Sequence, residues 1–90
     1  MLLEKKIVVV LPAYNAEKTL KKTIDEIDKT IVDDIILVDD FSDDQTVKLS
    51  EKLNLITIKH NENIGYGGNQ KTCYDKALEL NADIIIMLHP

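Results

Sequence analysis

One cysteine in 90 residues, Cys73, excludes an internal disulfide and fits a reducing compartment. No apolar run approaches the ~18 to 20 residues needed to span a bilayer, and too few apolar residues precede Glu4, Lys5 and Lys6 to make a secretory signal. The chain is therefore expected to be cytoplasmic, or to lie on the cytosolic side of a membrane. A basic excess is also missing. Lys and Arg number 11 against 16 Asp and Glu, a net charge of −5, which argues against general binding to nucleic acid or anionic lipid, since both need a basic patch.

What is there reads as globular: 44% of the residues are hydrophobic and 30% charged. A chain of 90 residues makes one small domain or part of a larger one, and its core is modest. Four short β-branched runs alternate with three helical patterns. The runs Ile7–Leu11, Ile35–Val38, Leu55–Ile58 and Ile84–Leu88 are nearly continuous, as expected of strands covered on both faces. A first helix is expected after Asn15, with Leu20, Ile24, Ile27 and Ile31 on one face. Ser42 and Gln45 have the spacing of a capping box opening a second helix that carries Val47, Leu49 and Leu53. A third is expected from near Gly68 to Asn81, burying Cys73 or Tyr74, Ala77, Leu78 and Leu80. The order βαβαβαβ predicts an α/β fold, three-layer α/β/α, with a four-stranded, mainly parallel sheet and right-handed crossovers.

Open α/β sheets bind ligands outside the carboxyl ends of their strands, and three segments fall there. In the first, Pro12, Ala13 and Tyr14 follow the first strand, with Glu17 three residues on. Pro12 holds the backbone extended, and the Tyr14 ring offers a face on which a base can stack, although a tyrosine packed over a sheet edge reads the same way. In the second, Asp39 and Asp40 close the second strand. A carboxylate there can accept from a nucleobase imide N–H or ribose hydroxyls, or help hold a cation. The plainer reading is that Asp39 and Asp40 fill a solvated turn while Asp43 and Asp44 favour the positive end of the second helix. Six aspartates between Asp33 and Asp44 cannot all be functional.

In the third segment, Gly65, Gly67 and Gly68 lead into the third helix. They allow positive φ and close backbone approach, and the helix start presents unpaired N–H groups suited to a phosphate or sugar oxygen. Glycines at a turn are nevertheless more often structural than not. The segment is not a P-loop, because Gly-Lys-Ser/Thr is missing, and not a dinucleotide fingerprint, because it follows the third strand and lacks the third glycine. Lys71 reads as solvated and Cys73 as a small core residue. His60 and His89 have no second histidine or cysteine at metal-ligand spacing, and neither stands out as a catalyst.

Taken in order, Leu-Pro-Ala-Tyr-Asn with Glu17, Val-Asp-Asp-Phe-Ser-Asp-Asp-Gln-Thr, and Asn-Ile-Gly-Tyr-Gly-Gly-Asn resemble the start of an inverting family 2 glycosyltransferase of the GT-A fold, over essentially the whole chain. The resemblance implies a Rossmann-like GT-A half-domain, residues 1–90, that ends after the fourth strand. It also implies transfer of a sugar from a UDP- or GDP-linked donor to a polyprenyl phosphate or polysaccharide. On that basis Pro12, Ala13 and Tyr14 border the nucleobase, Glu17 lies near the nucleotide, Asp40 reads the base and Asp39 supports it. Gly65, Gly67 and Gly68 would lie near the ribose and diphosphate.

The family's Asp-x-Asp motif is expected after the fourth strand, where His89 and Pro90 stand. The ligands of a Mg2+ or Mn2+ ion, and the catalytic base, would accordingly lie beyond Pro90. No catalytic or metal-binding residue is assigned within the 90 residues, and the chain alone is expected to be inactive, since displacement at the anomeric carbon needs an activated acceptor and a stabilised diphosphate. A phosphate acceptor, already ionised, needs less help from a base.

Three alternatives fit the sequence less well. A non-catalytic nucleotide-binding or assembly module would show a polar end to the fourth strand and a closing helix, and neither is present. A dinucleotide oxidoreductase needs glycine in the first turn, and 12–17 has none. A phosphoacceptor receiver domain would place its acidic pair after the first strand, not the second. Exposed sheet edges also make a homo-oligomer an expectation.

Overall fold

The computed structural model describes residues 4–90, so the reading of residues 1–3 as no signal lies outside the described part. In chain order the elements are β1 (Ile7–Ala13), α1 (Leu20–Asp25), β2 (Asp34–Asp39), α2 (Thr46–Lys52), β3 (Ile56–Lys59), α3 (Tyr66–Glu79) and β4 (Ile84–Met87). The strands form one parallel sheet in the order β3-β2-β1-β4. β1 is central and buried along its whole length, which is why its sequence is an unbroken apolar run. Chain direction across the sheet reverses after β3, and α3 carries the chain back over β2 and β1 to β4.

That reversal divides the core in two. Val9, Leu11, Ala13 and Leu37 face one side with Leu20 and Ile24 of α1, and Leu49 and Leu53 of α2 pack against them. Val8, Val10, Ile36 and Val38 face the other, against Cys73 and Ala77 of α3. The alternation within one continuous apolar strand is the period-2 rule applied to two covered faces. The outer strands are less covered than the sequence predicts: β3 is half-buried, and Ile84 and Ile86 of β4 are exposed.

The helices differ from expectation at their starts. α1 begins at Leu20, not after Asn15, because residues 16–19 form a turn around the Ala16 carbonyl, which accepts from the N–H groups of Thr19 and Leu20. It ends at Asp25 as the bonding tightens to i→i+3, with Ile27 donating to Ile24. Ile27 still packs on the core. Ser42 is not a cap for α2, since its side chain is held by Asp39 and Asn15. On α3, Cys73 and Ala77 are buried together with Asn69, while Tyr74 and Leu78 face outward, so the buried stripe lies one position away from the apolar one.

Both α2 and α3 stop in the same way. Asn54 and Asn81 take left-handed φ of 61° and 63° just past each helix. Leu55 and Ala82 then donate back to Ser50 and Ala77, closing Schellman motifs. Among the described residues no helix is long and apolar enough to cross a membrane.

Candidate functional site

Three loops meet at the carboxyl ends of β1, β2 and β3, and hydrogen bonds link them in sequence. The β1–α1 loop is tied to the β2–α2 loop by two hydroxyl relays. Asp39 accepts from the Ser42 hydroxyl, whose oxygen accepts the Asn15 N–H at 2.8 Å. Asp44 accepts from the Thr46 hydroxyl, whose oxygen accepts the Ala16 N–H at 2.8 Å. The Glu17 N–H donates to Asp44 at 3.2 Å and the Asp43 N–H to Asn15 at 3.0 Å. Asn15 adopts φ of 52°, a left-handed conformation that asparagine tolerates, and so turns both its amide and its side chain toward the second loop.

The second loop is tied to the third through Asp40, which is 4% exposed. Its Oδ1 accepts from the Ile64 N–H and from His60 Nδ1, both at 2.9 Å, and its Oδ2 accepts from the Gly65 N–H at 2.9 Å. Asn63 donates its side-chain amide to the Asp40 carbonyl at 3.2 Å. Burial alone would raise the pKa of this carboxyl, but the donors from Ile64, His60 and Gly65 outweigh it and hold the pKa below the usual carboxylate range. Asp40 is therefore an ionised, acceptor-only group at neutral pH. A carboxylate has about four acceptor positions, and three are taken, which leaves one on Oδ2.

Pro12, Ala13, Tyr14, Asp40, Asn63, Gly65, Tyr66 and Asn69 line a cleft of about 210 Å³ here. Two aromatic rings stand at it, Tyr14 just after β1 and Tyr66 from the first turn of α3, and both are about half exposed. The Tyr66 hydroxyl contacts His89 Nε2 and accepts from Gln70 at 2.9 Å, so the ring is braced from behind. Asn69 is buried and donates to the Val38 carbonyl at 2.9 Å, fixing the start of α3 over the end of β2. Pockets that enclose drug-sized ligands run to ~300–1,000 Å³, so this cleft is too small to enclose a whole nucleotide sugar. Larger clefts of about 360 and 380 Å³ lie beside β4 and beside Phe41, but neither combines strand ends, two aromatic walls and a carboxylate with a free acceptor position.

Of the nine residues predicted from sequence, Pro12, Ala13, Tyr14, Asp40 and Gly65 come together in the cleft. Glu17, Asp39, Gly67 and Gly68 do not line it. Asp39 is buried beneath the β2–α2 loop, where it accepts from the Ser42 N–H at 2.9 Å. Gly65 has φ of 89°, which explains the glycine there, and a Cβ on Gly68 would meet the Ile64 side chain at 2.8 Å, whereas Gly67 faces open space. Sequence reasoning missed Asn63, Tyr66 and Asn69, all within the glycine segment it singled out. It also passed over His60, which bridges Asp40 to Thr72. A strand-ending histidine after an aspartate-ended neighbouring strand was the available signal.

The carboxylates present do not fit a divalent cation. Asp39, Asp40 and Asp44 are each occupied by N–H and O–H donors, and no group of three His, Cys, Asp or Glu side chains converges among the described residues. Cys73 is no nucleophile: burial pushes its thiol up to about 12.

This is the doubly wound α/β class in which ligands bind outside the carboxyl ends of the strands, and its particular form is that of the GT-A glycosyltransferases. The chain belongs to glycosyl transferase family 2, whose model matches residues 8–89. It is 36% identical, over 100 aligned positions, to the UDP-N-acetylglucosamine–dolichyl-phosphate N-acetylglucosaminyltransferase of Methanococcus voltae, covering 92% of this chain and 40% of that protein. It is 32% identical over 87 positions to the O-antigen chain rhamnosyltransferase RfbN of Salmonella typhimurium, covering 92% of this chain and 27% of that one. The chain thus spans well under half the length of these curated relatives. In fold it matches glucosyl-3-phosphoglycerate synthase from Mycobacterium tuberculosis, solved with Mn2+, UDP and glucosyl-3-phosphoglycerate. The TM-score is 0.78 at 24% identity, covering 97% of this chain and 34% of that one. It also matches S. aureus TarS 1–349, solved with UDP-GlcNAc, at a TM-score of 0.73 and 24% identity, covering 93% and 26%.

Proposed function

We propose that this chain forms the donor-nucleotide part of a glycosyltransferase that uses a UDP-linked sugar, and that the whole protein transfers the sugar to a polyprenyl phosphate or a polysaccharide at the cytoplasmic side of a membrane. The observation that carries the reading is the cleft, which is lined by a carboxylate with one free acceptor position and by two half-exposed aromatic rings. A uracil presents an imide N–H to such a carboxylate and a π-face to such a ring. The UDP-N-acetylglucosamine named for the Methanococcus relative sets UDP ahead of GDP. An approach of the ribose and diphosphate to the start of α3 is supported by the bare backbone of Gly65 and Gly67, where an added Cβ would meet nothing within 4 Å.

The acceptor is proposed from the dolichyl-phosphate named for the Methanococcus relative and the O-antigen chain named for RfbN. A phosphate acceptor brings its own ionised oxygen, so its attack on the anomeric carbon asks less of a protein base. A divalent ion at the diphosphate would need ligands other than the aspartates described here. Calorimetric titration of UDP into the chain and its Tyr14→Ala variant tests the reading. Stacking on one aromatic contributes about 1–3 kcal/mol, so the variant should bind about 5- to 150-fold more weakly. Equal affinity for both would rule out the base against Tyr14.

A further inference from the structure

We propose that His60 is a positioning residue for the nucleotide base: it holds the Asp40 carboxylate and α3 in one arrangement, so that the free acceptor position of Asp40 Oδ2 faces the cleft. The proposal rests on the UDP reading for the identity of the base, and on the geometry alone for the clamp.

His60 follows the last residue of β3, and its main chain extends the sheet pairing, donating its N–H to the Asp39 carbonyl at 2.9 Å. Its side chain is 13% exposed and spans two elements. Nδ1 lies 2.9 Å from Asp40 Oδ1, and Nε2 lies 2.9 Å from Thr72 Oγ1 on α3. Because Asp40 is ionised and accepts only, Nδ1 must carry a proton. Thr72 has one hydroxyl proton and two acceptors in reach, Nε2 and the Gly68 carbonyl at 3.2 Å, so it too is tied to the first turn of α3.

The consequence falls on Asp40. With Oδ1 saturated by His60 and Ile64, and Oδ2 already accepting from Gly65, rotation of the carboxylate would break three bonds at once. Its remaining acceptor position is therefore fixed in direction. A fixed acceptor discriminates: uracil offers an N–H at N3, whereas cytosine offers a lone pair there and is repelled. A histidine that merely filled space would affect UDP and CDP alike.

The test uses the wild-type chain, His60→Leu, His60→Asn and Thr72→Val, with the amide spectrum and the UDP and CDP affinities of each. The Leu change removes both bonds, whereas the Asn change keeps a side-chain N–H near the Nδ1 position. For His60→Leu we expect a shift of the Ile64 and Gly65 amides with those of Val8, Val10 and Ile36 unmoved, a roughly tenfold loss of UDP affinity and a smaller loss for CDP. His60→Asn should restore the Ile64 and Gly65 amides and most of the preference for UDP. If His60→Leu does not fold, His60→Asn and Thr72→Val carry the comparison, Thr72→Val being expected to lower the UDP to CDP ratio. Unmoved Ile64 and Gly65 amides, or a UDP to CDP ratio equal to that of the wild type in His60→Leu and Thr72→Val, would overturn the proposal. If the wild type binds neither nucleotide, the UDP reading fails, and the clamp is then decided by the amides: shifted in His60→Leu and restored in His60→Asn supports it, unmoved overturns it.

Discussion

Asp40 is one carboxylate with two duties. It organises the loop that follows β3 through three donors, and it keeps one acceptor position at the cleft. Replacing it with asparagine removes the charge, leaves three donors facing a single carbonyl, and turns an amide N–H2 toward one of them. We expect Asp40→Asn to lose about 1–3 kcal/mol of stability at pH 7 by urea unfolding. The pH dependence follows from the lowered pKa. A carboxyl whose folded pKa lies below its unfolded value of ~3.9 contributes stability fully above that value and loses it as pH falls through the folded pKa. The stability gap between wild type and Asp40→Asn should therefore be fully present at pH 7 and narrow below pH 4. A gap independent of pH would show that the charge is not what is held. Cys73 gives a second check at this scale. Fully buried, with its thiol near 12, it should resist Ellman's reagent at pH 8 until denaturant is added.

At the scale of elements, the start of α3 separates glycines that the backbone needs from one that it does not. Gly65, at φ 89° and ψ 168°, occupies an extended positive-φ region essentially reserved for glycine, so Gly65→Ala should cost about 1–3 kcal/mol. Gly67 sits inside the first turn with nothing within 4 Å of a Cβ, so Gly67→Ala should stabilise by about 0.5–1 kcal/mol through helix propensity. Gly68→Ala meets the half-exposed Ile64 side chain, which can move aside, and should fall between the two. Thermal unfolding of the three variants checks the order. Elements were also where sequence reasoning both succeeded and failed. The strands were legible because continuous β-branched runs have few alternatives. The Ser42–Gln45 spacing misled because the Ser42 hydroxyl is taken by Asp39, three residues before it, and by the Asn15 N–H from across the loops, which no capping pattern contains. The outward Tyr74 and Leu78 misled because Asn69, a polar residue, occupies the buried stripe by bonding to the Val38 carbonyl.

For the whole molecule, the order β3-β2-β1-β4 brings three loops to one end of the sheet, and the hydroxyl relays and the Asp40 clamp join them. The position of the site was legible in the sequence, since apolar runs ending in Pro12–Tyr14 and in Asp39–Asp40 had to place those residues together if the strands were parallel neighbours. The register bears this out, with Ala13 beside Asp39. The division of labour among the aspartates was not legible, because it depends on which backbone N–H groups each one meets across loops. Asp39 and Asp44 hold architecture, and Asp40 alone lines the cleft. The measurement that tests this account most directly is an amide NMR titration of the chain with UDP, with NAD as the control. The account predicts saturable shifts at Tyr14, Asp40 and Asn63 through Asn69 with UDP and none with NAD. Saturable shifts confined to other faces, such as the opposite end of the sheet around Asp34 and Leu55, or no shifts at millimolar UDP in a well-dispersed spectrum, would contradict it.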